Sequence, residues 1–318
     1  MGSVLDELVE CDRHNSSEAR RILREFDPRA IEAVEEFARL LVAAGDAFGE
    51  VSGYDKHNLS LNDWLQKQSG SARELVRFLE QATFLGEPTG EDPISTAKSD
   101  LAKANSAIAR TYLILRIRRD FLLGLADLLK LRLTPALGYL RLQSESTAIL
   151  AMIASNPSMS IDWLNPYSGR KFYKSYHAKI VEKMKSLAIH DYYDQGSEMA
   201  LHSRVHGVVP GLLVNNDAAA AGEVALTYQE FHDPVDFLVW FGIYLRTHQK
   251  LLAGVAEGLP EVDLGKLGSG KYNEMVAALT EKLKAVYLKE KYRDEFGPCC
   301  DWHITPASTG RPASPSAR

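Results

Sequence analysis

The sequence predicts an all-α fold: an antiparallel helical bundle with one short β-hairpin or ordered loop near residues 211–229. Three observations predict it. Five pairs in which a side chain suited to N-capping precedes a proline mark helix starts: Asp27-Pro28, Asp92-Pro93, Thr134-Pro135, Asn165-Pro166 and Asp233-Pro234. The cap oxygen satisfies an orphan N–H of the first turn, and proline at the first helical position gives up an N–H that had no partner. Apolar residues then recur at helical spacing. Stops follow at Gly86, at Gly258 ahead of Pro260, and across Gly207 to Gly211.

Taken in order, this punctuation predicts helices over about 28–48, 60–85 (with Ser60 as a sixth cap), 93–132, 135–154, 166–188, 192–206, 234–257 and 271–292. In the helix from Pro93, Leu101, Ala104, Ile108, Tyr112, Leu115, Phe121 and Leu125 keep helical spacing. Leu113 and Leu123 fall off that stripe, so this helix is expected to pack on more than one face. Phe237, Trp240, Phe241 and Tyr244 line the helix from Pro234 in the same way. Leu212-Leu213-Val214 and Val224 to Tyr228 flank Asn215-Asn216-Asp217 and four alanines, which reads as the hairpin or ordered loop. The chain divides into an N-terminal helical region (1–90), a main helical bundle (91–304) and a tail (305–318) rich in Ser, Pro, Gly, Ala and Arg that is expected to be disordered. No internal repeat is visible.

Composition excludes several classes. The chain has 318 residues, 45% hydrophobic and 25% charged, enough to bury a core without disulfide or metal staples. Its longest apolar run, Phe237 to Leu245, is nine residues, far short of the roughly 20 that span a bilayer. The acidic start, Met-Gly-Ser-Val-Leu-Asp-Glu-Leu, does not resemble a secretory signal, and Asp6 stands where a myristoylation motif requires Ser or Thr. Three cysteines, Cys11, Cys299 and Cys300, fit a reducing compartment, so a cytoplasmic protein without membrane contact is expected. A homodimer is compatible with all of this.

Charge is unevenly distributed. Residues 101–190 hold fourteen Lys or Arg against five Asp or Glu, a net +9 on a chain of −5 overall. Arg116, Arg118 and Arg119 are its densest run, and Arg170-Lys171-Phe172-Tyr173-Lys174 mixes cations with aromatics. Such a segment suits a polyanion such as RNA, or else it is covered by acidic helices from elsewhere in the chain.

Most catalytic templates fail at a required position. Gly265 to Lys271 has P-loop spacing, but Tyr272 replaces the magnesium-binding hydroxyl and no strand precedes it, so a flexible interhelical linker is expected. His190, Asp194, Glu198, His202 and His206 recur every four residues, but that spacing drifts by about 40° per step, so the five cannot share one face. No metal site and no cofactor are predicted. Cys299-Cys300 with His303 is too compressed for tetrahedral zinc, and no Gly-x-Ser-x-Gly elbow occurs. Arg170 and His177, with six residues between them, match the Arg…His pattern of HEPN ribonucleases. With nine histidines, one such match is expected by chance. In that pair, His177 would perform acid–base work on a ribose 2′-OH while Arg170 holds the phosphate.

One helix carries an unusual pair. Between Ala136 and Ala154 the only charged residues are Arg141 and Glu145, four apart on an otherwise apolar segment. Such a pair is expected to be partly buried, as a structural ion pair or as part of a site. Tyr139-Leu140-Arg141-Leu142-Gln143-Ser144-Glu145, then Asn156-Pro157 and Trp163, resembles the Arg-x-x-x-Glu helix of a bacterial helical family of unknown function grouped with HEPN-like domains. Leu201-His202-Ser203-Arg204-Val205-His206-Gly207 is similar to that family's Ser-x-x-His-Gly segment. The resemblance spans roughly residues 100–250. It implies an antiparallel α-bundle in which Arg141, Glu145, Ser203 and His206 converge, without implying an established activity.

Two functions are therefore expected from different classes. One is an RNA-associated HEPN-like protein, a metal-independent ribonuclease or its degenerate relative of the defence or toxin type. Arg141 would hold phosphate, His206 would transfer protons, Glu145 would orient one of them, and segment 101–190 would contact RNA. The other is a non-enzymatic helical scaffold that captures a protein partner through residues 1–90.

Overall fold

In a computed structural model the described residues are 4–52, 93–165, 169–197, 212–213, 225–226, 231 and 234–289. They are mostly helical. The helices are α1 (Val4–Phe26), α2 (Arg29–Val51), α3 (Pro93–Leu128), α4 (Leu133–Ser155), α5 (Met159–Leu164), α6 (Gly169–Ser186), α7 (His190–Gly196), α8 (Pro234–Gly258), α9 (Leu264–Leu267) and α10 (Ser269–Lys289). The helix expected over 60–85 and the tail lie outside the described residues.

Two helices start at the expected prolines. α3 and α8 begin at Pro93 and Pro234. At α2, Asp27 accepts the Arg29 N–H at 3.0 Å, and the Arg29 guanidinium holds the Asp27 carboxyl well below the usual carboxylate range. α4 starts at Leu133, slightly before Pro135; a missing N–H costs nothing anywhere in the first turn. The Gly265–Lys271 stretch is no flexible linker. Asp263 caps the single turn of α9 by accepting the Lys266 N–H at 3.2 Å, and Gly268 ends that turn in the left-handed region (φ 105°). α10 follows at once, and Tyr272 is a core residue whose hydroxyl donates to the Leu245 carbonyl at 3.0 Å.

α4 sits at the centre, packed by α3, α8, α7 and α6, and α2 joins through α3 and α10. Its residues are buried almost all round, including the polar run Gln143, Ser144, Glu145, Ser146 and Thr147. α8 approaches α4 closely because Gly254 and Gly258 carry no side chain; a methyl group there would collide with Thr147 and Leu150. One continuous apolar core runs from Ala19 on α1 to Leu283 on α10. Phe37, Leu40, Leu41 and Phe48 of α2 are buried within it. On α3, Leu113 is fully buried as a second packed face requires, whereas Leu123 is 41% exposed together with Tyr112, Leu115 and Leu122.

A fully buried histidine lies in this core. His248 of α8 is surrounded by the rings of Phe37, Phe121 and Tyr244, with centroids 4.7, 4.9 and 4.2 Å away. Nδ1 lies 2.6 Å from the Tyr244 carbonyl, and Nε2 lies 2.7 Å from Gln143 Oε1. Burial pushes its pKa down to about 3, so the ring is neutral. Both ring nitrogens face oxygens, and the neutral ring carries one N–H to donate to them. The Gln143 side-chain nitrogen is buried without a hydrogen-bond partner.

Strand pairing among the described residues is confined to two dipeptides. β1 (Leu212–Leu213) and β2 (Ala225–Leu226) run antiparallel with Leu212 opposite Leu226. Two residues a side fall short of the expected hairpin, and residues 214–224 between them lie outside the described set. Among the described residues no helix is long and apolar enough to cross a membrane.

Candidate functional site

The pocket is built from four helices around the Arg141–Glu145 pair. α4 supplies Arg141, Leu142 and Glu145; α3 supplies Arg116; α7 supplies Tyr193; α6 supplies Tyr173, His177, Ile180 and Met184. The α6 residues recur at intervals of four, three and four, which places them on one helical face. Together they enclose about 410 Å³. Arg141 and Glu145, expected to be partly buried, are so: their side chains retain 19% and 7% of their surface.

Arg141 is held on every nitrogen. Nε donates to Ser197 Oγ at 2.9 Å, one η nitrogen donates to the Tyr193 hydroxyl at 3.2 Å, and the other lies 3.7 Å from Glu145. Its guanidinium also lies over the Tyr193 ring, 4.6 Å from the centroid, a cation–π contact. Glu145 accepts a hydrogen bond from the Tyr173 hydroxyl. Burial of that hydroxyl and its bond to the carboxylate push the Tyr173 pKa up, so it remains a donor, while the charges of Arg116 and Arg141 pull the other way. Arg116 and Tyr173 line the same pocket.

The structure joins two constellations that the sequence kept apart. Arg141 and Glu145 share the pocket with His177, which had been paired with Arg170. Arg170 lies on α6, but its side chain is outside the described residues, as are Ser203 and His206. Arg116, Tyr173 and Tyr193 were not singled out as site residues. Arg116 stood in the densest basic run and Tyr173 in the cation–aromatic cluster, and the period of Tyr173, His177, Ile180 and Met184 would have shown a shared face. Asn156, Pro157 and Trp163 lie away from the pocket lining, at the α4–α5 corner: Ser158 donates to Asn156 at 2.7 Å, and Trp163 packs on the core. His190 lies 3.2 Å from Asp194, and no group of three or more metal-ligating side chains forms among the described residues.

Acids from outside segment 101–190 cover part of its charge. Arg110 forms a bidentate pair with Glu261 at 2.9 Å, Lys130 and Arg132 pair with Asp12, and Lys183 pairs with Glu257. Lys171, Lys174, Lys179 and Lys185, on the helix that carries His177, are exposed. Comparison with protein-family models, curated proteins and solved structures returns no match for this chain.

Proposed function

We propose that this chain is an RNA-associated protein, an antiparallel helical bundle of HEPN-like character that cleaves RNA by metal-independent acid–base chemistry in the cytoplasm. The observation that carries this reading is the presence of an imidazole, two guanidiniums and a Glu–Tyr pair in one pocket, beneath a helix with exposed lysines. Imidazole is the side chain suited to proton exchange near neutrality. In this chemistry His177 takes the proton of a ribose 2′-OH. The 2′-oxygen then bonds to phosphorus and the bond from phosphorus to the 5′-oxygen breaks, with water protonating the leaving oxygen. The products are a 2′,3′-cyclic phosphate and a free 5′-OH. Arg141 and Tyr173 fix Glu145, and the cations stabilise charge as it grows on the phosphate.

The scaffold reading is less well supported. It assigns partner capture to residues 1–90, yet Phe37, Leu40, Leu41 and Phe48 are buried in the shared core, so deleting that region would expose the core of the rest.

The test is a gel of total RNA incubated with wild type, His177→Ala and His206→Ala. Wild type is expected to cleave, and His177→Ala to lose at least about a hundredfold of that activity while remaining folded, because His177 is exposed. Intact RNA with folded wild type would overturn the ribonuclease reading in favour of the scaffold. Loss confined to His206→Ala would move the acid–base role to His206.

A further inference from the structure

We infer that Arg116 is the phosphate receptor of this pocket and that the buried carboxylate of Asp120 aims it. This rests on the reading of the pocket as an RNA site and assigns to Arg116 the role that the sequence suggested for Arg141. Arg141 already donates to Ser197 and Tyr193 and faces the Glu145 carboxylate at 3.7 Å, which partly neutralises its charge. Arg116 is placed differently. Its η nitrogens make no hydrogen bond among the described residues, and its side chain keeps 34% of its surface open while lining the pocket.

What holds Arg116 is its other end. Asp120, one turn further along α3, is completely buried. Its Oδ1 accepts from Arg119 Nε at 3.0 Å and from a terminal nitrogen of Arg119 at 2.7 Å. Its Oδ2 lies 3.6 Å from Arg116 Nε, and both of these atoms are buried without a hydrogen-bond partner. A buried carboxylate oxygen and a buried N–H that face each other at this distance orient the guanidinium by charge, with Nε turned inward and the η groups left for the pocket. Two parallel N–H groups match two non-bridging phosphate oxygens, which a lysine ammonium cannot reproduce. The lining carries two guanidiniums against one carboxylate, an excess of one positive charge before His177 is counted. The ligand class is a phosphate group, whether free or within an RNA backbone.

Calorimetric titration of the full-length protein with inorganic phosphate tests this, with a fluorescent single-stranded RNA as the second probe. Wild type should bind phosphate saturably. Arg116→Gln should weaken it about tenfold or more, and Arg116→Lys should not restore it. Arg118→Gln, an exposed neighbour, should leave it unchanged. Asp120→Asn should weaken phosphate binding in wild type but cause no further loss in the Arg116→Gln background, which a merely structural role would not produce. If Asp120→Asn fails to fold, the Arg116 variants still decide. Equal phosphate binding by wild type and Arg116→Gln, or no phosphate binding by wild type together with unchanged RNA binding in Arg116→Gln, would overturn the assignment. Loss of RNA binding in Arg116→Gln without phosphate binding by wild type would overturn it for the free ion. Phosphate bound at Arg116 by a protein that leaves RNA intact would retain this inference and sink the ribonuclease reading. RNA cleavage by wild type together with phosphate binding unchanged in Arg116→Gln would do the reverse.

Discussion

Arg141→Met is expected to lower the unfolding free energy by about 3–5 kcal/mol and to abolish RNA cleavage. The substitution removes the cation that faces the Glu145 carboxylate, whose side chain is 7% exposed and which keeps the hydrogen bond from the Tyr173 hydroxyl. It also removes the group that ties α4 to Ser197 and Tyr193. The double variant Arg141→Met/Glu145→Gln should recover most of the stability, because no buried charge is then left unpaired, giving a coupling of about 1–3 kcal/mol. Cleavage should stay lost in the double variant. Urea unfolding paired with the RNA assay checks both: additive destabilisation would mean that the two side chains do not depend on each other, and recovered cleavage would remove the pair from the site.

His248→Leu is expected to cost about 1–3 kcal/mol at pH 7, since the Gln143 amide loses a buried partner. Gln143→Leu/His248→Leu should regain most of that loss by removing both polar groups together. The pH dependence is the sharper signature. Burial lowers the folded-state pKa to about 3, so below the ordinary histidine value of roughly 6.5 the unfolded chain binds a proton that the folded chain refuses. Stability should therefore fall as pH drops through that window, by up to about 1.4 kcal/mol per unit, and stop falling from this source below the folded value. Unfolding curves at pH 7, 5.5 and 4 should show this slope in wild type and lack it in His248→Leu. The same slope in both proteins would mean that the imidazole is not held neutral.

Legibility of the fold followed the physics of helix ends. Proline starts at Pro93 and Pro234 are visible in sequence because the constraint is local. α1 has no such mark. It buries Ala19, Ile22 and Leu23 on one stripe of an otherwise polar helix, so residues 4–26 gave little signal. Gly265 and Gly268 suggested flexibility, yet Gly268 is the left-handed stop of α9. At the site, Arg141 and Glu145 stood out because charge on an apolar helix is costly. His177 and Arg116 did not, because what gives them meaning is the packing of α6 and α3 against α4, which no local spacing encodes. Charge arithmetic on residues 101–190 likewise could not reveal that Asp12, Glu257 and Glu261 fold back onto part of it.

The most direct measurement is photo-crosslinking of the cleavage-deficient His177→Ala protein to a single-stranded RNA that carries 4-thiouridine, with adducts mapped by mass spectrometry. An RNA seated in the pocket predicts adducts on the peptides that contain Tyr173 and Tyr193, both of which line it. Adducts confined to other segments of the chain would contradict the assignment of this pocket as the RNA site.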